Sequence, residues 1–541
     1  MAYRRPAPGQ TLTALLDFAR RHPDLLLCGA ITLLAAALRL WALGDIPAGI
    51  HGDEAQVGLD ARRVLHDGWI GAYTWSALGQ PSGHAYLTAP SIAIFGSNAW
   101  ALRLPLALTG VAAIPLSYVL FRLLTTRVEA AIAAVLLATS LWHLHFSRVA
   151  HWPISYGTVA LAVLILWTIA IRTGRWQWFA AAGAVLGLGL YTYNVYPIFV
   201  IAFAIWVAAY TFIYKRGDGA WLRHVALAAG VSVAAGLPLF IFIATQVDEY
   251  FAHYDEYYSR YSVLRSARFQ DGDLTGKVTV VAEQAWRFAG AYVWQGVRDK
   301  VDGASADGRP IVDPATVALF LVGLGMAAWR WRAPPYLLCL CMVGVMPLAG
   351  LLQTNATYRG TLGLAPFVYV LAALPLAVVW REASNLAKSD GRLLKTAVVF
   401  ALGLIAFVNL HSYFGRWAGS EHFDSVYARD FTQAVQYANS LDGQPYVFFL
   451  SDEFTFNHET RLFLAPDLEG EDRSTEFLGW RDLFIYATGD AILLLTNAYA
   501  QDDTLDSLQE LYPGGAAYIR ERDGRRVFVV YTLPQRRLAP P

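Results

Sequence analysis

Residues Leu25–Leu43 read LLLCGAITLLAAALRLWAL; Gly44-Asp45-Ile46-Pro47 follows, and then His51-Gly52-Asp53-Glu54. The first segment is a nearly uninterrupted apolar run, long enough at ~1.5 Å per residue to cross a bilayer as a helix. Gly44 to Pro47 breaks that helix, and an adjacent acid pair comes next. Two carboxylates at the mouth of a membrane-embedded body sit where a lipid-soluble substrate and a water-soluble one can meet. That placement points to an enzyme.

The rest of the chain extends this reading. Of 541 residues, 56% are hydrophobic and only 16% charged, well under the ~25% of a soluble domain, so the chain is a polytopic membrane protein. Lys+Arg and Asp+Glu balance at 42 each, which gives no net charge to draw a nucleic acid. Cys28, Cys339 and Cys341 all lie in apolar runs. Cys339 and Cys341 fall on opposite sides of a helix, an arrangement that suits neither a local disulfide nor a metal pair. No small-residue cleavage site accompanies the first run, which is expected to remain as an anchor.

About eleven spanning helices are expected, over residues 24–43, 100–123, 128–146, 155–172, 176–192, 196–214, 222–244, 311–329, 335–353, 362–380 and 394–413. Arg4, Arg5, Arg20 and Arg21 precede the first. Every second connection is again basic: Arg122 and Arg127, Arg172 and Arg175, Lys215 and Arg216, Arg330 and Arg332, then Arg381, Lys388 and Arg392. The positive-inside rule puts these in the cytoplasm, together with residues 1–23. The first loop (44–99), a long loop (245–310) and the stretches holding Arg148, Asn194 and Arg359 then face outward. Residues 24–414 form the membrane domain of an integral cell-membrane protein.

An odd number of spans leaves residues 415–541 outside, and there the composition changes. Val426, Phe431, Val435 and Ala438 mark one face of an amphipathic helix. Tyr446–Leu450, Ala491–Leu495, Ala516–Ile519 and Val527–Tyr531 have strand length and character, and Leu505, Leu508 and Leu511 suggest another helix. A small extracytoplasmic α/β domain is expected, serving as a cover over the active face; carbohydrate binding is the alternative role, with no motif behind it.

The acid pair admits two readings. Asp53 can cap a surface helix, with Gln56 three residues on completing a capping-box pattern. Alternatively, a sugar held on a phosphate has a good leaving group, and its weakly nucleophilic acceptor needs a positioned carboxylate to take the proton. The departing phosphate needs cations. Arg148 breaks the positive-inside trend at an outer span end, and Arg103 and Arg359 are placed similarly; all three are candidates for gripping the donor phosphate, with headgroup anchoring the alternative for Arg148. His84, His143, His145 and His151 are weak metal candidates, since none has clear ligand spacing. Asp248 with Asp255 and Glu249 with Glu256 repeat at seven residues among Tyr250, Tyr254, Tyr257, Tyr258 and Tyr261, which fits either a solvated helix or a lid over a lipid donor.

The chain also resembles the GT-C glycosyltransferases, a group that includes protein O-mannosyltransferases and bacterial aminoarabinose transferases. The resemblance is carried by His51-Gly52-Asp53-Glu54-Ala55 with Gly58-Leu59, then by Ala101-Leu102-Arg103-Leu104-Pro105 and Trp142-His143-Leu144-His145-Phe146-Ser147-Arg148. Gly187-Leu188-Gly189-Leu190-Tyr191-Thr192-Tyr193 and Tyr358-Arg359-Gly360 continue it, in order, over about residues 25–380. It implies a GT-C membrane fold and an inverting transfer from a polyprenyl-phosphate sugar to a lipid, protein or glycan acceptor. Asp53 is then the general base, with Glu54 beside it, and His51, Tyr191, Tyr193 and Asn194 contact sugar or acceptor. No cofactor is firmly implied, although some relatives use a divalent ion. Two departures stand out: Pro197 where relatives often have arginine, and Gln80-Pro81-Ser82-Gly83-His84 where many have a Pro-Pro pair. A transporter or flippase for a lipid-linked sugar is the alternative, but it calls for charges near mid-bilayer.

Overall fold

The computed structural model describes residues 21–76, 79–252, 255, 262–297, 303–353, 358–386, 388–474, 491–496, 502–511, 513–522 and 524–533. The opening apolar run forms the helix Pro23–Leu40, with proline in its first turn, where the missing N–H would have no partner anyway. Eight helices among the described residues are long and apolar enough to cross a membrane: Pro23–Leu40, Ala99–Leu124, Pro153–Thr173, Tyr196–Tyr214, Gly219–Thr245, Pro334–Leu351, Arg359–Ala383 and Ser389–Trp417.

Three more of the expected spans are shorter helices. Arg127–Thr139 has 13 residues, Trp176–Leu188 has 13 and Pro314–Trp329 has 16. The first stops because Ser140 leaves helical geometry and caps a separate short helix, Leu141–Phe146, through the His143 amide. The second unwinds into a 3-10 turn at Gly189–Tyr191. Burial sorts the spans into inner and outer ones. Within Arg359–Ala383, 83% of the apolar window is buried, against 17% for Pro23–Leu40, Gly219–Thr245 and Ser389–Trp417, which turn most of their surface to lipid.

Past Trp417 the chain builds a sheet in the order Gly470–Asp472, Tyr446–Leu450, Ala491–Thr496, Arg525–Leu533, Ala516–Arg522. The first two pairings are parallel and the last two antiparallel. Alternate residues face opposite sides, as strand geometry requires. Val447, Phe449, Ile492 and Leu494 pack on Phe431, Val435 and Ala438 of the helix Arg429–Asn439. Phe448, Leu450, Leu493 and Leu495 pack with Leu505 and Leu508 of the helix Asp502–Leu511. The expected strands are present, but the helix expected over Val426 to Ala438 is split. Val426 ends the short helix Glu421–Val426, Ala428 is left-handed, and Phe431, Val435 and Ala438 lie on Arg429–Asn439. Gly470–Asp472 and the short helix Glu459–Leu464 are additions.

This C-terminal unit is joined to the first loop at backbone level. The Ile50 amide donates to Thr432 Oγ1 (3.1 Å), and Thr460 Oγ1 donates to the Ile50 carbonyl (3.0 Å). Arg62 donates to the Leu462 carbonyl at 3.2 Å. Two glycines allow the approach: a Cβ on Gly49 would stand 2.0 Å from the Tyr427 oxygen, and one on Gly58 would stand 2.3 Å from the Phe463 ring. The unit is therefore part of the surroundings of the acid pair.

Candidate active site

The acid pair opens the helix Gly52–Asp67, and its two members point apart. His51 is the N-cap: its Nδ1 accepts the Asp53 amide at 3.0 Å, and Glu54 Oε2 accepts the His51 amide at 3.2 Å. This reciprocal capping box corrects the expected cap at Asp53 with Gln56. The cap falls two residues earlier, so capping does not account for the Asp53 side chain.

Glu54 is fully buried. Its Oε1 accepts Arg103 Nε at 2.9 Å and the Ala150 amide at 2.7 Å, while Oε2 accepts Arg103 Nη2 at 2.9 Å. Burial alone would raise its pKa, but the facing guanidinium and these donors outweigh that and hold it at about 2. Arg103 also donates through Nη1 to the carbonyls of Leu43 (3.3 Å) and Pro47 (2.8 Å), and through Nη2 to that of Gly49. All five of its N–H groups are engaged.

Arg148 is used in the same way. Its Nη1 donates to the Leu38 and Arg39 carbonyls (2.9 and 3.0 Å), and its Nη2 to those of Ala42 and Ile46 (both 3.1 Å). The rings of Tyr413 and Phe414 lie 5.7 and 5.2 Å from its guanidinium carbon. The Leu38 and Arg39 carbonyls end the first span, where carbonyls lack intrahelical partners and the helix dipole favours a cation. Those of Ala42 and Ile46 belong to the turn beyond it. Arg103 and Arg148, expected to grip a donor phosphate, are here engaged with Glu54 and backbone carbonyls. Both are fully buried and are ties for the irregular chain between Leu38 and Gly49.

Asp53 is different. Its carboxylate opens onto a cavity of about 600 Å³, and its Oδ2 is 3.6 Å from Nη1 of Arg359, the third expected arginine. Tyr358 sets the position of Arg359. That buried tyrosine donates to the Ala291 carbonyl (3.1 Å) and accepts the Val297 amide (2.9 Å), both in the long loop, while Trp142 Nε1 donates to its carbonyl (3.1 Å).

One side of the cavity is His51, Gly52, Asp53 and Gln56; the other is His422, Glu453, Phe454, His458 and Glu459 of the C-terminal unit. These last residues escaped the sequence reading, and no local signal marks them, because the contact joins residues some 400 positions apart. His458 caps the helix Glu459–Leu464 through the Thr460 amide (3.3 Å). Burial lowers its pKa, against the opposing charge of Glu459.

Tyr191, Tyr193 and Asn194, expected on the sugar, do not line this cavity. Tyr191 donates to the Ala235 carbonyl (3.1 Å), Tyr193 stacks on Tyr156 and Asn194 donates to the Gly79 carbonyl (2.9 Å). Asn194 thereby ties the first-loop hairpin to the membrane body, while Tyr191 and Tyr193 pack between membrane helices. Of the four candidate histidines, only His151 joins a possible metal set: ligand atoms of His51, Asp53 and His151 lie within 4.8 Å of one another. His84 lies by Gln80 and Asp60, His143 by Arg39, and His145 among Phe146, Trp417 and Phe423. Tyr254, Glu256, Tyr257, Tyr258 and Tyr261 of the expected lid lie outside the described residues.

Residues 79–243 match a family model described as dolichyl-phosphate-mannose-protein mannosyltransferase. Among solved structures, ArnT from Cupriavidus metallidurans bound to undecaprenyl phosphate is similar at a TM-score of 0.56 and 16% identity, over 96% of this chain and 99% of that one. The oligosaccharyltransferase of Archaeoglobus fulgidus tethered with an acceptor peptide containing the NVT sequon gives 0.52 at 16% identity, over 85% of this chain and 65% of that one. The same enzyme in complex with Zn and sulfate gives 0.51 at 15%, over 92% and 72%. No curated protein matches. The fold is shared with these ArnT and oligosaccharyltransferase structures, and the chain is a multi-pass membrane protein.

Proposed function

We propose that this chain is an inverting glycosyltransferase that moves a sugar from a polyprenyl-phosphate donor to an acceptor hydroxyl or amine at the outer membrane face. One observation carries the reading: of the two adjacent acids, only Asp53 opens onto the cavity, and a guanidinium stands 3.6 Å from it. Asp53 takes the proton of the acceptor. The acceptor oxygen or nitrogen bonds to the anomeric carbon as the bond to the phosphate oxygen breaks, and the electron pair leaves with the phosphate. Arg359 meets the charge developing on that phosphate. Glu54 and Arg103 hold the loop and take no part in the chemistry.

Support also comes from the GT-C fold, from the family-model match and from the undecaprenyl phosphate in the ArnT structure. His51, Asp53 and His151 fit a divalent cation, since two imidazoles and a carboxylate form a familiar nitrogen–oxygen donor set. When bound there, the ion supplies Lewis-acid stabilisation of phosphoryl oxygens. The alternation of basic connections supports a cytoplasmic N-terminus and an outward C-terminal unit.

The test is to incubate purified protein with a panel of polyprenyl-phosphate sugars and candidate acceptors and to follow release of polyprenyl phosphate. Release that needs both an acceptor and Asp53 is the expected result. Release that persists undiminished in Asp53→Asn would remove the assignment of the base.

A further inference from the structure

The cavity at Asp53 does not end at the C-terminal unit. Ser425, Ala428, Glu453 and Phe454 line it and also line a second cavity of about 490 Å³, which runs on along the unit to Arg522 and Arg526. Each is large enough for a ligand of several rings. The two adjoin across these shared walls and are taken together as one trough, with the carboxylate assigned as base lining its near end.

The lining shows what the trough would hold. Apolar side chains are few, which is unsuited to the acyl chains of a lipid acceptor. Charges are many and of both signs, and some are paired: Asp424 lies 2.8 Å from Arg429 and 2.6 Å from Arg522, and Glu421 lies 2.6 Å from Arg525, while Asp430, Glu453 and Arg526 also line the trough. The second cavity sets four carboxylates against four arginines, so neither sign dominates there to attract a strongly charged ligand. It does present fixed donors and acceptors side by side, and a sugar hydroxyl, being both, can bridge a guanidinium and a carboxylate. Phe454 lies where the two cavities meet, stacked on Phe431 at 4.8 Å, and gives an apolar ring face of the kind that packs against the C–H face of a pyranose.

We infer that the acceptor is an extended glycan, and that the C-terminal unit binds its trailing sugars in the Glu453–Arg522 trough while the terminal sugar meets Asp53. This rests on the glycosyltransferase reading above. It turns the C-terminal unit from a cover into the acceptor-binding half of the site.

The experiment uses the full-length protein in detergent, a donor it turns over, and neutral oligosaccharide ladders of one to six sugars as acceptors, with Ser/Thr peptides and lipid-linked monosaccharides alongside. The acceptor KM is expected to fall at least tenfold between one and four sugars at nearly constant kcat. In Arg522→Gln and Phe454→Ala that ratio is expected to shrink at least fivefold. Titration of the oligosaccharides without donor, read by tryptophan fluorescence, should show the same dependence on length and on these variants, and near-native thermal unfolding of the variants separates lost binding from lost fold. A KM independent of length, or transfer to peptides or lipids with every oligosaccharide refused, would overturn the inference while leaving the enzyme class intact. No donor turnover with any acceptor would instead count against the reading beneath it.

Discussion

In the membrane body, Arg103 and Arg148 are fully buried, with their N–H groups directed at Glu54 and at backbone carbonyls. In the C-terminal unit, Arg522 and Arg525 keep 35% and 76% of their side chains exposed and pair with Asp424 and Glu421 around a trough. The same residue type serves two purposes because the surroundings differ. At bilayer depth no water satisfies the carbonyls of a helix end or an irregular connection, so a guanidinium must. At the surface, water can do so, and arginine is available to a ligand. Arg103 and Arg148 are therefore structural ties, while Arg359, also at a span end, faces Asp53, and the chemistry gathers at the seam between the two regions.

The largest expected effect tests the buried half of that contrast. Glu54→Gln leaves Arg103 charged, buried and unpaired, and should destabilise the protein by about 3–5 kcal/mol, read as the thermal unfolding midpoint in detergent at pH 7. Because folding lowers the Glu54 pKa from 4.5 to about 2, its contribution is fully present above pH ~4.5 and fades as pH falls toward 2. The difference between wild type and variant should shrink over that window. Arg148→Ala should behave in the same way, as a loss of fold. If it kept its midpoint and lost only donor affinity, the phosphate-binding expectation for Arg148 would be restored.

Next comes the seam itself. Asp53→Asn should leave the unfolding midpoint within about 0.5 kcal/mol of wild type, as befits a position outside the capping box. Polyprenyl-phosphate release should nonetheless drop on the order of a hundredfold or more, the usual reach of general-base catalysis. Equal loss of stability in Asp53→Asn and Glu54→Gln would erase the distinction between the two acids.

Gly49→Ala probes how closely the two regions meet. Its new Cβ would lie 2.0 Å from the Tyr427 oxygen and 2.6 Å from Arg429 Cα, both backbone atoms that cannot swing aside. A cost of about 1–3 kcal/mol is expected, concentrated at the seam. Faster hydrogen exchange in Arg429–Asn439 and Glu459–Leu464, with the spans unchanged, is the signature. Uniform protection throughout would mean that the unit docks less tightly than its geometry requires.

Much of this was legible in the sequence, for local reasons. Apolar runs near 20 residues have few alternatives to a spanning helix, and Phe431, Val435 and Ala438 recur at the helical period, whereas Val426 ends a separate helix. The four strands of the tail alternate or run apolar between turns. The acid pair and Arg359 could be found because motif order carried them. The assignments that went astray depended on direction. Sequence spacing places Asp53 and Glu54 side by side, yet the capping box at His51 turns one inward and leaves the other facing the cavity. Glu453 and His458 could not have been found at all, since their approach to Asp53 is made by the Ile50 contacts with Thr432 and Thr460 across the length of the chain.

The smallest expected effect concerns Asp430, which lines the far cavity on the C-terminal side. Partial burial, with Asp424 and Glu453 nearby, raises its pKa from 3.8 to about 6. Between pH ~4 and 6 the folded protein therefore holds a proton that the unfolded chain has released. Linkage then makes this group's contribution to stability fall as pH rises through that window and level off above it. Asp430→Asn removes the ionisation while keeping shape. The variant should match wild type near pH 4 and exceed it at pH 7 by about 1 kcal/mol, a figure already reduced for the screening of a partly exposed group. Glu54 and other paired acids change stability with the opposite sign, so the informative quantity is the variant-minus-wild-type difference in unfolding midpoint across pH 4 to 8. A difference that grows with pH and saturates above 6 places the titration at Asp430. A flat difference would mean that Asp430 carries an ordinary charge in the folded protein and that burial and its neighbours Asp424 and Glu453 do not raise its pKa.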